Sequence, residues 1–266
     1  MTAVRAELRK FFTTRLWWGM AIAVLVSGAA FAVLFAFFFT SDAVQGPQAA
    51  VAPRTDAAIA KAVFTGGLQV GYLLTLAVGV LTIGSEYRHQ TITATFLALP
   101  RRGRVMAAKV AALLVIGAFY GVLSLAGAVG AGSLVLTSKG VAPYADTSIW
   151  RTLALCLLVL GLWALIGLGA GILIPNQIAA LLISVAVAWI VEPVLSLVLA
   201  LTEWGKSISP YLPSRATSAM VEATSGGFDG QPVEQLSWWA GALVLIAYAV
   251  VMAGLGTWRT LRSDIS

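Results

Sequence analysis

Six long apolar segments, separated by more polar links, run along the chain. They lie near residues 17–39, 64–83, 106–136, 149–174, 178–201 and 238–255. Each supplies the roughly 20 apolar residues that a helix needs to cross a hydrocarbon core of about 30 Å. The first exceeds the roughly 7–15 apolar residues of a secretory signal, and no small-x-small cleavage pattern follows it, so we expect it to stay in the mature protein. The pattern predicts an all-α membrane protein with six transmembrane helices in one domain over residues 1–266.

The composition supports this class and excludes a water-soluble globule. The chain is 59% hydrophobic and 11% charged, with a mean hydropathy of +0.91, whereas soluble domains contain about 25% charged residues. Cys156 is the only cysteine and cannot form an intrachain disulfide. The sequence therefore predicts neither a disulfide framework nor a cysteine metal site.

The distribution of basic residues predicts the orientation in the membrane. Of the 17 Lys and Arg residues, 11 lie in segments 1–16, 84–109 and 256–266, and 6 lie in the other links. Because Lys and Arg accumulate in cytoplasmic loops, both termini and the 84–104 link are expected in the cytoplasm of a bacterial plasma membrane protein. The net charge of +6 is then a property of the membrane surface, and no nucleic-acid partner is expected.

The link at 84–104, GSEYRHQTITATFLALPRRGR, has helical periodicity over residues 86–100, before Pro100 ends the pattern. Ile92, Phe96 and Leu99 share one face, while Arg88, Thr91 and Thr95 share another. This spacing predicts a short amphipathic helix that presents its polar face to the cytoplasm. The alternative is a basic loop that only fixes topology, which explains the arginines but not the apolar face.

The segment 1–15 predicts a second amphipathic helix, lying in the membrane interface. Val4, Leu8, Phe11 and Phe12 fall on one side, with Arg5, Arg9 and Lys10 beside the polar face. Basic residues opposite an apolar face are typical of interfacial helices. A frayed basic tail is the alternative.

The 84–104 link resembles that of the ABC-2 type permeases, the membrane subunits of one class of ABC transporters. That family carries an acid-x-x-x-G-T element, an apolar helix, then L-x-x-P and a basic stretch. The matching residues here are Glu86, Thr91, Leu97, Pro100, Arg101, Arg102 and Lys109. Gln90 replaces the family's glycine before the threonine. The resemblance extends over nearly the whole chain through the interfacial helix, the six spans and the long 202–237 link.

The resemblance implies that residues 86–100 form a coupling helix, which binds a separate ATP-binding subunit. The residues expected to contact that partner are Glu86, Tyr87, Arg88, Thr91 and Thr95. It further implies two ATP-binding subunits that hold ATP and Mg, a second permease of the same or a similar kind, and export of an amphiphilic drug, lipid, peptide or glycolipid. Short helices are expected to return toward the membrane within 202–237.

Enzyme motifs do not favour a catalytic role for this chain. The stretch LTEWGKS at 201–207 is similar to a phosphate loop, but Ala200 stands where that loop needs glycine. His89 is the only histidine, and neither H-E-x-x-H nor G-x-S-x-G occurs. We therefore expect no catalytic residues, no metal site and no cofactor in this chain, and ATP hydrolysis by a partner.

Polar residues inside the apolar segments are candidates for a substrate path. Gln69, Tyr72 and Thr75 lie on one face of span two, although hydrogen bonds between helices explain them equally well. Glu192, followed by Pro193, is an intramembrane acid and thus a functional candidate. The alternative is a carboxylate near the outer surface that is protonated or paired with a neighbouring span, next to a proline kink.

Two glycine pairs are spaced for close contact between helices. Gly117 with Gly121, and Gly167 with Gly171, allow close helix contact, and packing inside one subunit is the favoured use.

The competing function is a six-span sensor, scaffold or secondary transporter that acts alone. Secondary transporters use paired broken helices or charged groups near the midplane, and Glu192 is the one residue that approaches this.

Overall fold

The structure, a computed structural model, describes residues 2–41, 55–88, 102–222 and 235–262. Within these ranges the chain is helical and contains no strand. Six helical stretches are long and apolar enough to cross a membrane: Leu16–Thr40, Asp56–Arg88, Gly103–Ser138, Ser148–Leu173, Gln177–Ala200 and Trp238–Thr260. Each contains or overlaps one of the six apolar segments, so the prediction of six spans is confirmed.

The helices are numbered here in chain order. They are α1 (Thr2–Thr13), α2 (Leu16–Thr40), α3 (Asp56–Thr65), α4 (Leu68–Arg88), α5 (Arg102–Ser138), α6 (Ser148–Leu173), α7 (Gln177–Ala186), α8 (Glu192–Ala200), α9 (Glu203–Ile208), α10 (Pro213–Met220) and α11 (Trp238–Arg262). A π-helical turn joins α7 to α8, and a 3-10 turn joins α9 to α10. Helices α3 and α4 together make span two.

Helix α6 is the centre of the bundle. Of its apolar stretch, 72% is buried, against 22% for α2 and 22% for span five. It packs against α4, α5 and α11 through very close glycine contacts. A Cβ on Gly79 would lie 2.0 Å from the Ala164 carbonyl oxygen, and one on Gly167 would lie 2.1 Å from that of Leu76. Gly117 faces Gly161 in the same way, so glycines of both predicted pairs pack inside one chain.

Span two is broken near its α3 end, which the apolar pattern does not predict. Helix α3 begins at Asp56, earlier than the expected 64, because the Thr55 side chain accepts a hydrogen bond from the Ala58 N–H at 3.2 Å. The chain then turns at Gly66 and Gly67 before α4 begins. A Cβ on Gly66 would lie 2.5 Å from the Phe35 ring. Glycine is therefore needed where the break passes α2.

Span five changes its winding before Pro193. Residues Val187–Val191 form a π-helical turn, and Pro193 lacks the N–H that an α-helix would use there. Helix α7 packs on α4 and α6, while α8 contacts mainly the π turn, α9 and the 3-10 turn. The outward face of the span is apolar and exposed, as at Trp189 and Val194, which suits contact with lipid.

The short helices after span five return along the bundle. Helix α10 packs on α11, and the Trp163 indole N–H donates to Thr217 Oγ at 3.0 Å. Trp163 lies about 22 Å along the α6 axis from Ser148, at 1.5 Å per residue. Helix α10 is thus beside the spans and not beyond their ends, as expected for short helices in 202–237. Residues 223–234 lie outside the described ranges.

Candidate functional site

A cavity of about 360 Å³ lies between α2, the break in span two, α8 and α10. One wall is aromatic and apolar, with Phe35, Phe39 and Leu68. The polar part of the lining consists of Gln69, Tyr72, Ser196, Ser214, Arg215 and Ser218. This volume and this mixture of an apolar wall with a few polar groups are typical of small-molecule sites. It is therefore the main candidate site.

The cavity brings together two of the three polar residues proposed for a substrate path in span two. Gln69 and Tyr72 line it. Tyr72 is only 4% exposed, and its ring stacks on that of Trp163 at a centroid distance of 4.2 Å. Thr75 is buried one turn deeper and donates its hydroxyl hydrogen to the Tyr72 carbonyl at 3.1 Å. Thr75 is thus occupied within its own helix and does not line the cavity.

Glu192 lies behind the cavity wall at the start of α8. Its side chain is buried, and one carboxylate oxygen accepts a hydrogen bond from the backbone N–H of Ser214, in the first turn of α10. A carboxylate at a helix N-terminus is favourable because it satisfies a free N–H group and opposes the helix dipole. Its neighbours Pro193 and Ser196 line the cavity. The structure thus gives Glu192 a partner in α10, which is not one of the spans.

Glu222 holds the other end of α10. It follows the helix with φ of 53°, a left-handed backbone conformation. Its carboxylate pairs with Lys61 of α3 at 2.7 Å and with Arg151 of α6. Both ends of α10 are therefore attached to the spans by a carboxylate.

Replacing Glu192 with alanine is expected to lower the free energy of unfolding by about 1–3 kcal/mol, because the partly buried Ser214 N–H loses its acceptor. Thermal unfolding in detergent measures this. Glu203→Ala is the matched control, since it removes an exposed acid from the same part of the chain, where it pairs with Lys206. Equal melting temperatures for the two variants would show that the Glu192 contact does not hold α10.

A cluster of four charged side chains lies at the opposite end of the bundle. Lys109 Nζ of α5 is 2.7 Å from Glu7 Oε2 of α1 and 2.6 Å from Glu86 Oε1 of α4. Lys10 Nζ is 3.1 Å from the same Glu86 oxygen and 3.4 Å from Glu7 Oε1. Lys109 is 1% exposed, Glu86 7% and Glu7 8%. We call these four residues the ionic cluster; they join α1, α4 and α5.

The ionic cluster is balanced, with two carboxylates and two ammonium groups. Burial lowers the pKa of Lys10, but the carboxylates of Glu86 and Glu7 outweigh burial and hold this pKa above its ordinary value. A raised lysine pKa stabilises the fold below the unfolded pKa, and this contribution is lost as the pH rises through the folded pKa. At neutral pH the contribution of Lys10 is therefore fully present.

The ionic cluster was not predicted from the sequence. Lys109 entered the count of membrane-surface charges, whereas the structure places it inside the protein. One signal was available, because Glu7 and Glu86 are the only acidic residues in segments 1–16 and 84–109. An isolated acid in each of two basic segments suggests a buried partner.

The structure separates the residues that were expected to bind an ATP-binding subunit. Glu86 is held in the ionic cluster and offers almost no surface. The Tyr87 hydroxyl is 3.2 Å from Thr260 Oγ of α11. Arg88 is exposed at the end of α4 and lines a cleft of about 340 Å³ with the turn at 175–178. Thr91 and Thr95 lie outside the described residues.

The six apolar helices are those of a multi-pass α-helical membrane protein. Within the ranges that the structure describes, no group of three or more His, Cys, Asp or Glu side chains is placed to hold a metal ion. No protein-family model matches the chain, and no curated protein matches it. The site geometry and the sequence motif are therefore the basis for assigning a function.

Proposed function

We propose that this chain is the membrane subunit of an ATP-driven exporter of the ABC-2 permease type. In this proposal both termini are cytoplasmic, two separate ATP-binding subunits hydrolyse ATP, and a second permease completes the membrane part. The substrate is amphiphilic, and the cavity beside α10 is part of its path. The proposal rests on the 86–109 motif together with the site geometry.

The observation that carries the proposal is the tie between the two ends of the 89–101 link. Glu86 precedes the link and Lys109 follows it, and their side chains are 2.6 Å apart. The same carboxylate also contacts Lys10 of α1. A force applied to the link would therefore move α1, α4 and α5 together. This is what a coupling helix needs in order to transmit a partner's movement.

Helix α4 connects the two candidate sites. It runs from Leu68 to Arg88, about 30 Å at 1.5 Å per residue. Arg88 ends at the cytoplasmic cleft, while Gln69 and Tyr72 line the cavity near its other end. In this mechanism, closure of the ATP-binding subunits shifts α4 and changes the shape of the cavity. The break at Gly66 and Gly67 lets α3 keep its contacts while α4 moves.

A second candidate is a secondary transporter that acts without ATP. The break in span two and the π turn in span five favour it, since discontinuous helices surround the sites of such transporters. Uptake or efflux that follows a proton or sodium gradient in proteoliposomes without any ATP-binding subunit would support this candidate.

The test of the main proposal is co-purification with an ATP-binding protein encoded beside this chain, followed by an ATPase assay in lipid nanodiscs. We expect a stable complex in which Arg88→Glu reduces substrate-stimulated ATP hydrolysis by tenfold or more, because the charge at the proposed contact is reversed. Arg9→Glu is the control: it makes the same change on an exposed position of α1. Failure to recover an ATP-binding subunit, or equal coupling in both variants, would contradict the proposal.

A further inference from the structure

We propose that the cavity binds an amphiphile with a phosphate headgroup, and that Arg215 binds the phosphate. The assignment of this amphiphile as the exported substrate rests on the function proposed above, but its binding to the cavity requires no ATP. The proposal follows from three features of the cavity: an arginine whose terminal donors have no acceptor among the described residues, a buried tyrosine whose hydroxyl has no partner there, and an aromatic wall next to the lipid-facing helices.

Among the described residues, Arg215 is the only charged side chain that lines the cavity. Its Nε donates to Ser196 Oγ at 3.1 Å, and among the described residues its two terminal NH₂ groups have no acceptor. The nearby carboxylate of Glu192 instead accepts from the Ser214 N–H and forms no salt bridge with Arg215. The guanidinium is thus held in place by one bond, with its outer edge available for two parallel bonds to an anion.

Tyr72 supplies a second, independent indication of a ligand. Its side chain is almost fully buried yet lines the cavity, and its hydroxyl has no hydrogen-bond partner in the described part of the chain. The hydroxyl is not one of the fully enclosed unpaired polar atoms of the described residues, so it reaches accessible space and can bond to a molecule in the cavity. The Ser214 hydroxyl and the Gln69 amide are also unpaired within the described ranges and lie in the same lining. A bound headgroup would satisfy all of them.

The donors converge from α4 and α10, which favours phosphate over carboxylate. A planar carboxylate can accept its two parallel hydrogen bonds from the arginine alone, whereas a tetrahedral phosphate presents oxygen atoms in several directions and can accept from further donors. Tyr72 and Gln69 approach from one helix, and Arg215 and Ser214 approach from the other. Together they offer hydrogen-bond donors to more than one phosphate oxygen.

The remaining wall indicates that the ligand carries a hydrocarbon tail. Phe35 and Phe39 of α2 line the cavity, and the neighbouring surfaces of α2 and α8 expose Phe38 and Val194. In a bilayer these exposed side chains contact lipid acyl chains. A tail could therefore leave the cavity between apolar surfaces without entering water. A soluble phosphate compound would gain nothing from this wall.

The test uses the purified chain in detergent micelles, without an ATP-binding subunit, and calorimetric titration with dioctanoyl phosphatidic acid. We expect this lipid to bind at least tenfold more tightly than three comparison compounds. Dioctanoylglycerol lacks the phosphate, octanoic acid lacks both the phosphate and the glycerol, and glycerol phosphate lacks the tails. Arg215→Gln should weaken binding by tenfold or more, and Tyr72→Phe by several-fold. Lys139→Gln is the matched control, since it removes an exposed charge from the same end of the bundle, and its affinity should be unchanged.

Several outcomes would overturn the inference. Equal binding of glycerol phosphate would assign the cavity to soluble phosphate compounds, and equal binding of octanoic acid would remove the choice of phosphate. An unchanged affinity in Tyr72→Phe and in a folded Arg215→Gln protein would place the lipid elsewhere. Lipid binding that depends on Arg215, in a chain that recovers no ATP-binding subunit, would refute the exporter but keep the site. An ATP-coupled complex that does not bind the lipid would refute the phosphate site but keep the exporter.

Discussion

Replacing Lys109 with methionine is expected to lower the free energy of unfolding by about 3–5 kcal/mol. Methionine fills a similar volume, so little packing is lost. The loss comes from Glu7 and Glu86, which are buried and would lose the partner closest to both of them, while Lys10 remains. Breaking a buried ion pair by removing one member leaves an uncompensated charge, which costs more than the pair contributed. Unfolding in detergent, followed by circular dichroism, measures the change.

The control for this prediction is Lys139→Met, just beyond the other end of α5. Lys139 is exposed and its ammonium lies over the Phe37 ring, 5.6 Å from the ring centre, so a change of less than about 1 kcal/mol is expected. Adding Glu7→Gln and Glu86→Gln to Lys109→Met should restore part of the stability, because the charges are then removed together. Equal losses in Lys109→Met and Lys139→Met would show that the ionic cluster does not stabilise the fold.

Replacing Gly79 with leucine is expected to abolish the folded protein. A Cβ at this position would lie 2.0 Å from the Ala164 carbonyl oxygen and 2.8 Å from the Leu168 nitrogen. Backbone atoms cannot move aside as a flexible side chain can, so α4 and α6 would have to separate. The cost should therefore exceed the about 1–3 kcal/mol of ordinary overpacking. The yield of monodisperse protein in size-exclusion chromatography measures the effect.

Gly130→Leu is the matched control for this substitution. Gly130 lies in α5, and an added Cβ there meets no atom within 4 Å. Its yield is expected to equal that of the unchanged chain, since leucine also favours a helix more than glycine does. Gly79→Ala should fall between the two. A normal yield of monodisperse Gly79→Leu would show that α4 and α6 do not pack as closely as described.

Hydropathy predicted the number of spans because a stretch of about 20 apolar residues has few alternatives to a transmembrane helix. It predicted the helix ends less well. Span three was expected at 106–136, whereas α5 covers Arg102–Ser138. The helix continues into polar residues because its backbone hydrogen bonds do not require apolar side chains. The break at Gly66 and Gly67 was missed for a different reason: it depends on contact with Phe35 of another helix.

The sequence predicted site residues that lie on one helix, but not site residues that come from segments far apart in the chain. Helical periodicity placed Gln69 and Tyr72 on one face, and both line the cavity. Periodicity cannot show that Arg215 joins them, since it lies in a separate segment that returns between α8 and α11. The ionic cluster is still harder to predict from periodicity, because its residues are far apart in the sequence. Among its contacts between different helices, Lys109 and Glu86 are separated by 23 positions, and Lys109 and Glu7 by 102.

The separation between Glu7 and Lys109 has a consequence for the order of events during biosynthesis. At 5–20 residues per second, the ribosome adds Lys109 roughly 5–20 s after Glu7. During that interval spans one and two are synthesised, while Glu7 has Lys10 of its own helix but not yet Lys109 as a partner. Helix α1 must therefore wait outside the bundle and dock only after the start of span three has been made. The first helix in the sequence therefore completes its docking later than its position in the chain suggests.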